Sequence, residues 1–397
     1  MVHTLPEEQR HLLELVEGFA RTEVAPRADE HERAGAFPRA LFDQMGTMDL
    51  TGLPFDEEVG GSALPLRTYL LVLEEISQAF LALGLGLSVH TLATWGIDTF
   101  ATPEQRRDLV PDLVEGRRLG AYSLSEPGSG SDAAAMTTKA RRDGDVYRLD
   151  GVKAWVTHGG VADRYLVMAR TADEGAKGVS AFVVDADQPG LTFAAPEEKM
   201  GLKASPTTQL LFEDAPVPAD RLLGGEEGRG FAVAMASLDG GRLGISACAV
   251  GLSQAALNVA LSYARERHQF GRPIAEFQGV SFLLADMATR TEAARTLYRS
   301  VAERRDHAQG RGPHQDTPGA GSGYSTTRAA AMSKLFATDA AMQTTTDAVQ
   351  VLGGYGYTAD FPVERYMREA KVLQIVEGTN QIQRMVIGRD LTGHGSR

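Results

Sequence analysis

A carboxylate directly before a glycine and a helix start stands near the end of the chain. Glu377 precedes Gly378, and either Thr379 or Asn380 can cap the helix that follows. Gln383 lies three residues after Asn380, where its side chain can reach back to free backbone donors. Gly378 lacks a Cβ, so backbone, ligand and carboxylate can approach one another closely. The pattern suits a general base on a rigid support, although a carboxylate here could also simply complement the helix dipole.

Five further motifs precede this segment in the chain. They are AYSLSEPGSGSD at 121–132, WVT at 155–157, LDGGR at 238–242, RHQFG at 267–271 and QVLGG at 350–354. Together with the Glu377 segment, and in this order, they resemble the signature motifs of the acyl-CoA dehydrogenase family. The resemblance runs over nearly the whole chain, and several motifs in one order are more specific than any one of them.

The resemblance implies that Glu377 is the base that takes the α proton of an acyl-CoA thioester. Some branches, including the isovaleryl and long-chain enzymes, carry their base on an earlier helix, where this chain has Gly241. Glu377 is therefore the only candidate base at a family position. The residues of the motif that contains Asp239 and Arg242 resemble those of short-chain and short-branched enzymes. This resemblance implies that these two residues lie near the substrate, with a plain helix salt bridge as the alternative role of Arg242.

A redox reaction requires a cofactor, because no protein side chain readily accepts a hydride. The chain lacks a strand–GxGxxG–helix fingerprint and a P-loop, and the glycine-rich stretch 224–230 reads as a turn into the next helix. These features disfavour a Rossmann-type nicotinamide enzyme. The resemblance implies FAD.

A strand over 151–157 would place Trp155 and Thr157 on one face. The indole could then stack on the flavin ring while the hydroxyl reaches a ring nitrogen; ordinary strand packing is the alternative. The family's Trp-(Ile/Val)-Thr element, here completed by Val156, has the flavin role. The resemblance also places residues around the flavin and the thioester end of the substrate: Tyr122, Leu124, Ser125, Gly130 and Ser131, with Ser131 and Gly378 at the substrate itself.

A second group of residues matches family positions that contact FAD across a subunit boundary. The group comprises Arg267, Phe270 and Gln278, together with the segment of Gln350, Gly353 and Gly354 that closes around the same cofactor. Thr379 and Gln381 match further cofactor contacts, at the start of the final helix. If these roles hold, cofactor binding requires an oligomer. The resemblance implies a homotetramer built as a dimer of dimers.

The elements that position these residues change character twice along the chain. Residues 1–120 read as helical, with a strong apolar helix over 66–80. Residues 121–230 read as β structure, with hairpin dipeptides at Asp143-Gly144 and Asp150-Gly151 and strands at 165–169 and 179–184. Residues 231–397 return to a helical period, interrupted by a predicted loop over 307–326. This layout agrees with the α+β fold that the resemblance implies: an N-terminal all-α domain, a β-barrel-like middle domain and a C-terminal four-helix-bundle domain.

Bulk composition narrows the functional classes. The net charge of −12 argues against nucleic-acid binding as the main task. The single cysteine, Cys248, excludes an intramolecular disulfide, and its apolar helical stripe predicts a buried thiol. We see no secretory signal, no apolar run of membrane-spanning length and no metal-ligand spacing among the nine histidines. We therefore expect a cytoplasmic protein without a bound metal.

The sequence thus predicts desaturation of an acyl-CoA thioester to a trans-2-enoyl thioester, with electrons passed to an electron-transfer flavoprotein. An oxygen-using relative, either an acyl-CoA oxidase or a flavin monooxygenase, stays open as an alternative, as does a thioester on a carrier protein. A non-enzymatic binding partner is a third reading, which the retained Glu377 disfavours. Val376, beside the base, is smaller than the Tyr of medium-chain relatives, but acyl chain length and branching stay open.

Overall fold

The computed structural model of the protein describes residues 5–309 and 325–393. The chain forms a helical part, then a sheet, then a second helical part, which confirms the predicted α+β class. The first part contains α1 (Glu7–Phe19), α2 (Ala28–Ala34), α3 (Arg39–Thr47), α4 (Leu66–Ala79), α5 (Leu81–Phe100), α6 (Pro103–Leu109) and α7 (Pro111–Val114). Helix α5 is apolar and buried on nearly every side, so it is a core helix rather than an amphipathic surface helix.

The middle part is a single mixed sheet. Its strands are β1 (Gly120–Ser123), β2 (Lys139–Asp143), β3 (Val146–Thr157), β4 (Arg164–Arg170), β5 (Val179–Asp185), β6 (Leu191–Phe193) and β7 (Thr207–Pro218). The strand order is β1-β4-β2-β3-β7-β6, with β5 paired to β4. Strand β1 runs parallel to β4, whereas β3 and β7 form a long antiparallel pair. The predicted strands at 165–169 and 179–184 are confirmed as β4 and β5.

One of the two predicted hairpin turns is wrong. Asp143-Gly144 does join β2 to β3, with Gly144 at a φ of +62°. Asp150-Gly151 lies inside β3, where the pairing with β7 shifts by a residue at Gly151. A Cβ on Gly151 would stand 2.7 Å from the Cα of Thr138. Gly151 is therefore needed for a β-bulge and for the close approach of another backbone segment. An Asp-Gly dipeptide does not distinguish these uses of glycine from a turn.

The last part is built around one long helix. It contains α8 (Gly230–Glu266), a short hairpin of β8 (His268–Gln269) and β9 (Arg272–Pro273), then α9 (Gln278–Ala308), α10 (Thr326–Leu352), α11 (Val363–Leu373) and α12 (Asn380–Thr392). Helix α8 packs against α9 and α10, and also against α4 and α5 of the first part. Of the predicted loop over 307–326, residues 310–324 lie outside the described residues.

Helix α8 forms the core that joins the two helical parts. Cys248 is fully buried in it, as predicted, and burial raises the pKa of its thiol to about 12. At Gly251 a Cβ would stand 2.3 Å from the carbonyl oxygen of Glu74, so α4 and α8 are in backbone contact. By length and composition α8 could cross a membrane, but 78% of its most apolar window is buried inside the protein. Its apolar character is therefore accounted for by packing.

Candidate active site

The segment between α11 and α12 forms a tight turn that carries Glu377. Glu377 and Gly378 have φ angles of +52° and +89°, in the left-handed region where a side chain is disfavoured and glycine is not. The hydroxyl of Thr379 accepts a hydrogen bond from the backbone N–H of Ile382 at 3.3 Å, so Thr379, not Asn380, caps α12. The turn ends against a rigid helix and places a carboxylate directly before it.

Gln383 stabilises this turn differently from the sequence-based expectation. The backbone N–H of Asn380 already donates to the carbonyl of Gln374 at 3.0 Å, so it is not free for a capping box. The side-chain amide of Gln383 instead donates to the carbonyl oxygens of Glu377 at 3.3 Å and Gly378 at 2.9 Å. It supports the base by holding acceptors that the turn leaves exposed.

The carboxylate of Glu377 is buried and poised to take a proton. Both of its oxygens are buried, and neither has a hydrogen-bond partner within the part of the chain that the structure describes. Burial raises the pKa of Glu377 to about 7, with Lys334 and Arg242 opposing the rise. A carboxylate with a pKa near neutrality is an effective general base, because it is both partly ionised and basic at working pH.

Gly241 on α8 faces the base. A Cβ on Gly241 would stand 2.0 Å from Oε2 of Glu377, and 3.0 Å from a methyl carbon of Leu92. The family implied by the motifs has its base either at the position of Glu377 or at that of Gly241. These two positions are adjacent in the structure, and only one of them has room for a side chain. Gly241 therefore leaves space for the carboxylate of Glu377 as well as for helix packing.

Arg242 combines the two roles that the sequence left open. It is buried, and its Nη1 forms a 2.6 Å ion pair with Asp239 one turn earlier. The second carboxylate oxygen of Asp239 accepts from the hydroxyl of Thr327 on α10 at 2.6 Å. The Nε of Arg242 is buried without a hydrogen-bond partner among the described residues, and the charge of Arg242 lowers the pKa of Glu377. The salt bridge thus orients a cation beside the base.

Tyr122 on β1 closes the same site from the sheet. Its hydroxyl donates to the carbonyl of Ala234 on α8 at 3.2 Å. Burial raises the pKa of this hydroxyl well above its ordinary value, and the negative charge of Glu377 raises it further while Arg242 opposes the rise. The predicted residues Tyr122, Arg242 and Glu377 are therefore brought together.

A buried ion pair that sequence reasoning missed ties the predicted cofactor loop to β3. Lys153 is fully buried, and its Nζ lies 2.9 Å from the carboxylate of Glu126. The same Nζ donates to the carbonyl of Leu124 at 3.0 Å, and the carbonyl of Ser125 accepts from the N–H of Ala154 at 2.8 Å. Leu124 and Ser125 are thus held by backbone and charge. Because β3 also contains Arg148 and Asp150, no local pattern distinguishes Lys153 from a surface lysine.

The other predicted flavin residues of the sheet form an exposed surface. Trp155 is 62% exposed although it lies within β3, and its φ is +60°. The pairing of β3 shifts just before Val156, which is buried, whereas Thr157 is half-buried on the side of Trp155. This bulge was not predicted. Gly130 and Ser131 are exposed, and among the described residues no atom lies within 4 Å of a Cβ placed at Gly130.

The remaining predicted cofactor residues, apart from Thr379 and Gln381 beside Glu377, lie at the opposite end of the C-terminal helices. Arg267 follows Arg242 by 25 residues at the end of α8, which is roughly 37 Å along a helix. A surface groove of about 500 Å³ is found there, lined by Tyr263, Arg267, Gln269, Ile274, Val351, Leu352, Gly353, Gly354, Tyr355, Thr358 and Asp360. Gln278 and Gln350 are exposed, as is Gln381 on α12. One chain therefore presents two separate groups of predicted cofactor residues.

Phe270 stands at the tip of the β8–β9 hairpin. Phe270 and Gly271 have φ angles of +52° and +82°, as in the two-residue type I′ turns that join antiparallel strands. The ring is 92% exposed and contacts Phe277 edge-on, with ring centres 5.9 Å apart. A fixed hairpin that presents an aromatic ring to solvent is suited to contact with another molecule.

Comparisons with known proteins agree with this architecture. Family models described as acyl-CoA dehydrogenase N-terminal, middle and C-terminal domains match residues 6–117, 121–215 and 228–392. An acyl-CoA dehydrogenase of Bacillus subtilis (strain 168) is 46% identical over 389 residues, 98% of each chain. These matches and the fold define an oxidoreductase. The chain belongs to the acyl-CoA dehydrogenase family.

Two solved structures extend the similarity to three dimensions. Butyryl-CoA dehydrogenase from Megasphaera elsdenii has a TM-score of 0.92 and 39% identity, covering 99% of this chain and 100% of that chain. A chain in the structure "Electron transferring flavoprotein of Acidaminococcus fermentans: Towards a mechanism of flavin-based electron bifurcation" has a TM-score of 0.92 and 43% identity, covering 98% and 99%. FAD is accordingly the cofactor expected for the family.

Proposed function

We propose that this chain is an FAD-dependent acyl-CoA dehydrogenase. It desaturates the Cα–Cβ bond of an acyl-CoA thioester to give trans-2-enoyl-CoA, and electron-transfer flavoprotein accepts the electrons. The observation that carries the proposal is the carboxylate of Glu377, which is buried without a hydrogen-bond partner among the described residues and has a pKa of about 7. A buried group in this state is costly unless a bound substrate uses it.

The predicted cofactor residues suit a flavin. The exposed face of Trp155 offers a stacking surface beside Thr157, while the open backbone at Gly130 permits close approach of a ligand. At the far end of α8, the guanidinium of Arg267 and the glycines Gly353 and Gly354 line a groove that suits a diphosphate. When bound, FAD supplies the acceptor for the β hydrogen, which leaves the substrate as a hydride.

Glu377 takes the proton from the α carbon of the substrate. Its carboxylate must be ionised beforehand, and Arg242 and Lys334 favour that form electrostatically. The resemblance assigns the backbone N–H of Glu377 to the thioester oxygen, where it would stabilise the negative charge that develops as the proton leaves. The turn held by Gln383 fixes the direction of that N–H together with the carboxylate. One residue thereby serves as both base and oxyanion donor.

A complete cofactor site requires a second copy of the chain. Arg242, which lies beside Glu377, and Arg267 are roughly 37 Å apart along α8. A flavin whose ring lies beside Glu377 would therefore take its Arg267 contacts from a neighbouring subunit. This separation supports the homotetramer that the family resemblance implies.

The similarity to butyryl-CoA dehydrogenase supports a short acyl chain as the substrate. The helices beneath the base are in close contact: a Cβ on Gly244 of α8 would stand 2.3 Å from the hydroxyl of Ser88 on α5. Such packing leaves little depth for a long chain. The similarity to a chain of the Acidaminococcus fermentans structure supports electron-transfer flavoprotein as the acceptor.

An anaerobic titration of the purified flavoprotein with acyl-CoAs of increasing length tests the proposal. We expect short acyl-CoAs to bleach the flavin spectrum, with trans-2-enoyl-CoA found by mass spectrometry and electron-transfer flavoprotein reoxidising the enzyme faster than oxygen. A bound flavin that no acyl-CoA bleaches would overturn the proposal. Rapid reoxidation by oxygen with equimolar hydrogen peroxide would instead identify an oxidase.

A further inference from the structure

Lys334 on α10 is a buried lysine directly behind the base turn. Its side chain is fully buried, and its Nζ donates to the carbonyl of Gly378 at 3.1 Å and to Oδ1 of Asn380 at 2.9 Å. A buried lysine costs several kcal/mol unless nearby groups compensate its charge. Methionine would fill a similar volume without this cost, so the presence of a lysine here calls for a functional reason.

The contacts of Lys334 belong to a network that holds both ends of the base turn. Asn380 donates to Oδ1 of Asp339 at 2.7 Å, and the side chain of Gln374, at the other end of the turn, donates to the same oxygen at 2.7 Å. Lys334 and Asp339 both lie on α10. One face of α10 therefore positions the turn from Gln374 to Asn380, and Lys334 contacts the residue that follows the base.

The charge of Lys334 acts on the carboxylate itself. Lys334 is the leading influence that lowers the pKa of Glu377 against the effect of burial, ahead of Arg242. Burial in turn lowers the pKa of Lys334 to about 7, while the negative charges of Glu377 and Asp339 oppose that fall. The titratable and charged groups that interact with this pair come from four elements: Tyr69 on α4, Tyr122 on β1, Arg242 and Cys248 on α8, and Asp339 on α10.

We infer that Lys334 is a positioning residue for the base: it fixes the turn through Gly378 and Asn380, and its positive charge favours the proton-accepting form of Glu377. The inference rests on the proposed function of Glu377 as the base. No covalent contact with substrate is involved. Gln383 holds the same carbonyl of Gly378 without a charge, so the two residues share the mechanical role and Lys334 alone adds the electrostatic one.

The pKa of Glu377 can be measured without turnover. The carboxyl stretching band of Glu377, identified by infrared difference against Glu377→Gln, is titrated in the flavin-bound parent and in Lys334→Met. An opposite charge nearby lowers a carboxyl pKa by about one to three units. We therefore expect the midpoint in Lys334→Met to rise by about one unit or more, and Lys334→Arg, which retains the charge, to restore it towards the parent value.

Flavin bleaching by a short acyl-CoA provides the second readout. At pH 7 a one-unit rise from a pKa of about 7 lowers the ionised fraction of Glu377 from about a half to about a tenth. We expect Lys334→Met to be about fivefold slower at that pH, to approach the parent rate at high pH and to bind acyl-CoA unchanged. The control is Lys199→Met, because Lys199 is a half-buried lysine that, like Lys334, donates to a backbone carbonyl, that of Ser205, at 3.0 Å.

An unchanged infrared midpoint in Lys334→Met would overturn the inference, as would an equal shift in Lys199→Met or a slower rate of the same size at every pH. If Lys334→Met does not fold, Lys334→Gln and Lys334→Arg are compared instead. An infrared midpoint that is raised only in Lys334→Gln supports the inference, and equal midpoints in the two variants overturn it. Failure of the proposed function is distinguishable, because the parent flavin would then resist every acyl-CoA while the infrared titration still reported Glu377.

Discussion

At the scale of single residues, the site depends on a carboxylate that is buried without a partner among the described residues. Desolvation is the first cause of the raised pKa of Glu377, and the cations Lys334 and Arg242 limit it to about 7. Without those cations the carboxyl group would stay protonated at neutral pH and could not act as a base. Without burial it would be ionised but too weak a base for a carbon acid.

The rate of flavin reduction should therefore depend on pH through Glu377. The base is active when deprotonated. We therefore expect the second-order rate at acyl-CoA concentrations well below saturation, which reports the free enzyme, to fall as pH drops through about 7 and to reach a plateau above it. Anaerobic stopped-flow measurements from pH 5 to 9 provide the profile. A rate that stayed constant from pH 9 down to pH 5 would show that burial does not raise the pKa of the base above its ordinary value of about 4.3.

Gly241 should be required for the position of the base. The Cβ in Gly241→Ala would lie 2.0 Å from Oε2 of Glu377, so the carboxylate must move. A displacement of about 1 Å can cost on the order of a hundredfold in rate. The adjacent Gly240 is the control, since no atom among the described residues lies within 4 Å of a Cβ placed there. Equal rates of flavin reduction in Gly241→Ala and Gly240→Ala would contradict the close contact.

The sequence predicted the local features of the site and missed the distant contacts. Glu377 and Gly378 are adjacent in the chain, and Thr379 caps the helix within the same turn. A short sequence pattern was therefore enough to predict them. Lys334 lies 44 residues before its acceptor Gly378, and Lys153 lies 27 residues after Glu126. A buried lysine looks like a surface lysine in a sequence, because burial depends on the elements that pack around it.

At the scale of elements, a charged junction connects α2, the segment before β7 and α11. The carboxylate of Glu32 on α2 accepts from the backbone N–H groups of Lys203 at 2.9 Å and Ala204 at 3.1 Å. From α11, Arg368 donates to the carbonyl of Met200 at 2.6 Å. Glu369 on the same helix is 1% exposed. The three parts of the chain are therefore joined by buried polar groups as well as by apolar packing.

Glu369 should make stability depend on pH. Burial raises its pKa to about 8, against the opposing charge of Arg365. A carboxyl pKa that is higher in the folded state gives stability that is complete below the unfolded pKa and is lost as pH rises through the folded pKa. Glu369→Gln has no carboxyl group and therefore does not lose stability in this way. We expect its thermal midpoint, compared with that of the parent at the same pH, to rise as pH increases from 5 to 9. The gain corresponds to a few kcal/mol in the free energy of unfolding.

The control for this comparison is Glu364→Gln on the same helix. Glu364 is only half-buried and forms an ion pair with Arg368 at 2.7 Å. Its loss should not produce the same rise in relative stability with pH, because its carboxylate stays accessible to water. A thermal midpoint difference between parent and Glu369→Gln that stays constant from pH 5 to pH 9 would contradict the raised pKa of Glu369.

Elements with a clear period were predicted well, and irregular ones were not. Helix α4 and strands β4 and β5 follow from apolar spacing, which local sequence carries. The bulges in β3 at Gly151 and Trp155 were missed, because they depend on pairing with β7 and on the approach of Thr138. The second bulge contains Trp155, which belongs to the proposed flavin surface, and bulges are common beside ligand sites.

At the scale of the whole molecule, the proposed function makes assembly a condition of flavin binding, because it draws on two separate groups of cofactor residues. Phe270, 92% exposed on a fixed hairpin, belongs to the group that would reach a neighbouring subunit. In Phe270→Asp a charge replaces this aromatic anchor, so we expect subunit association to weaken on the order of tenfold or more. The flavin content after gel filtration should fall with it.

Sedimentation velocity with the ratio of flavin to protein absorbance measures both effects. Leu15→Asp is the control, because Leu15 is also an exposed apolar residue, 66% accessible, but lies on α1 far along the chain from the cofactor groups. Phe270→Asp that kept parent assembly and parent flavin content would contradict the shared site. The order of the motifs predicted both the fold of the entire chain and a cofactor site shared between subunits. The structure adds the length of α8 between Arg242 and Arg267.

The comparison of Glu377→Gln with the parent tests the central claim most directly. Both flavin-bound proteins are mixed anaerobically with the same short acyl-CoA, and the loss of flavin absorbance is followed in time. We expect the variant to keep its flavin and its thermal midpoint while the rate falls by at least about a hundredfold, the usual contribution of a positioned base. A variant that reduced its flavin at close to the parent rate would contradict the assignment of Glu377 as the base.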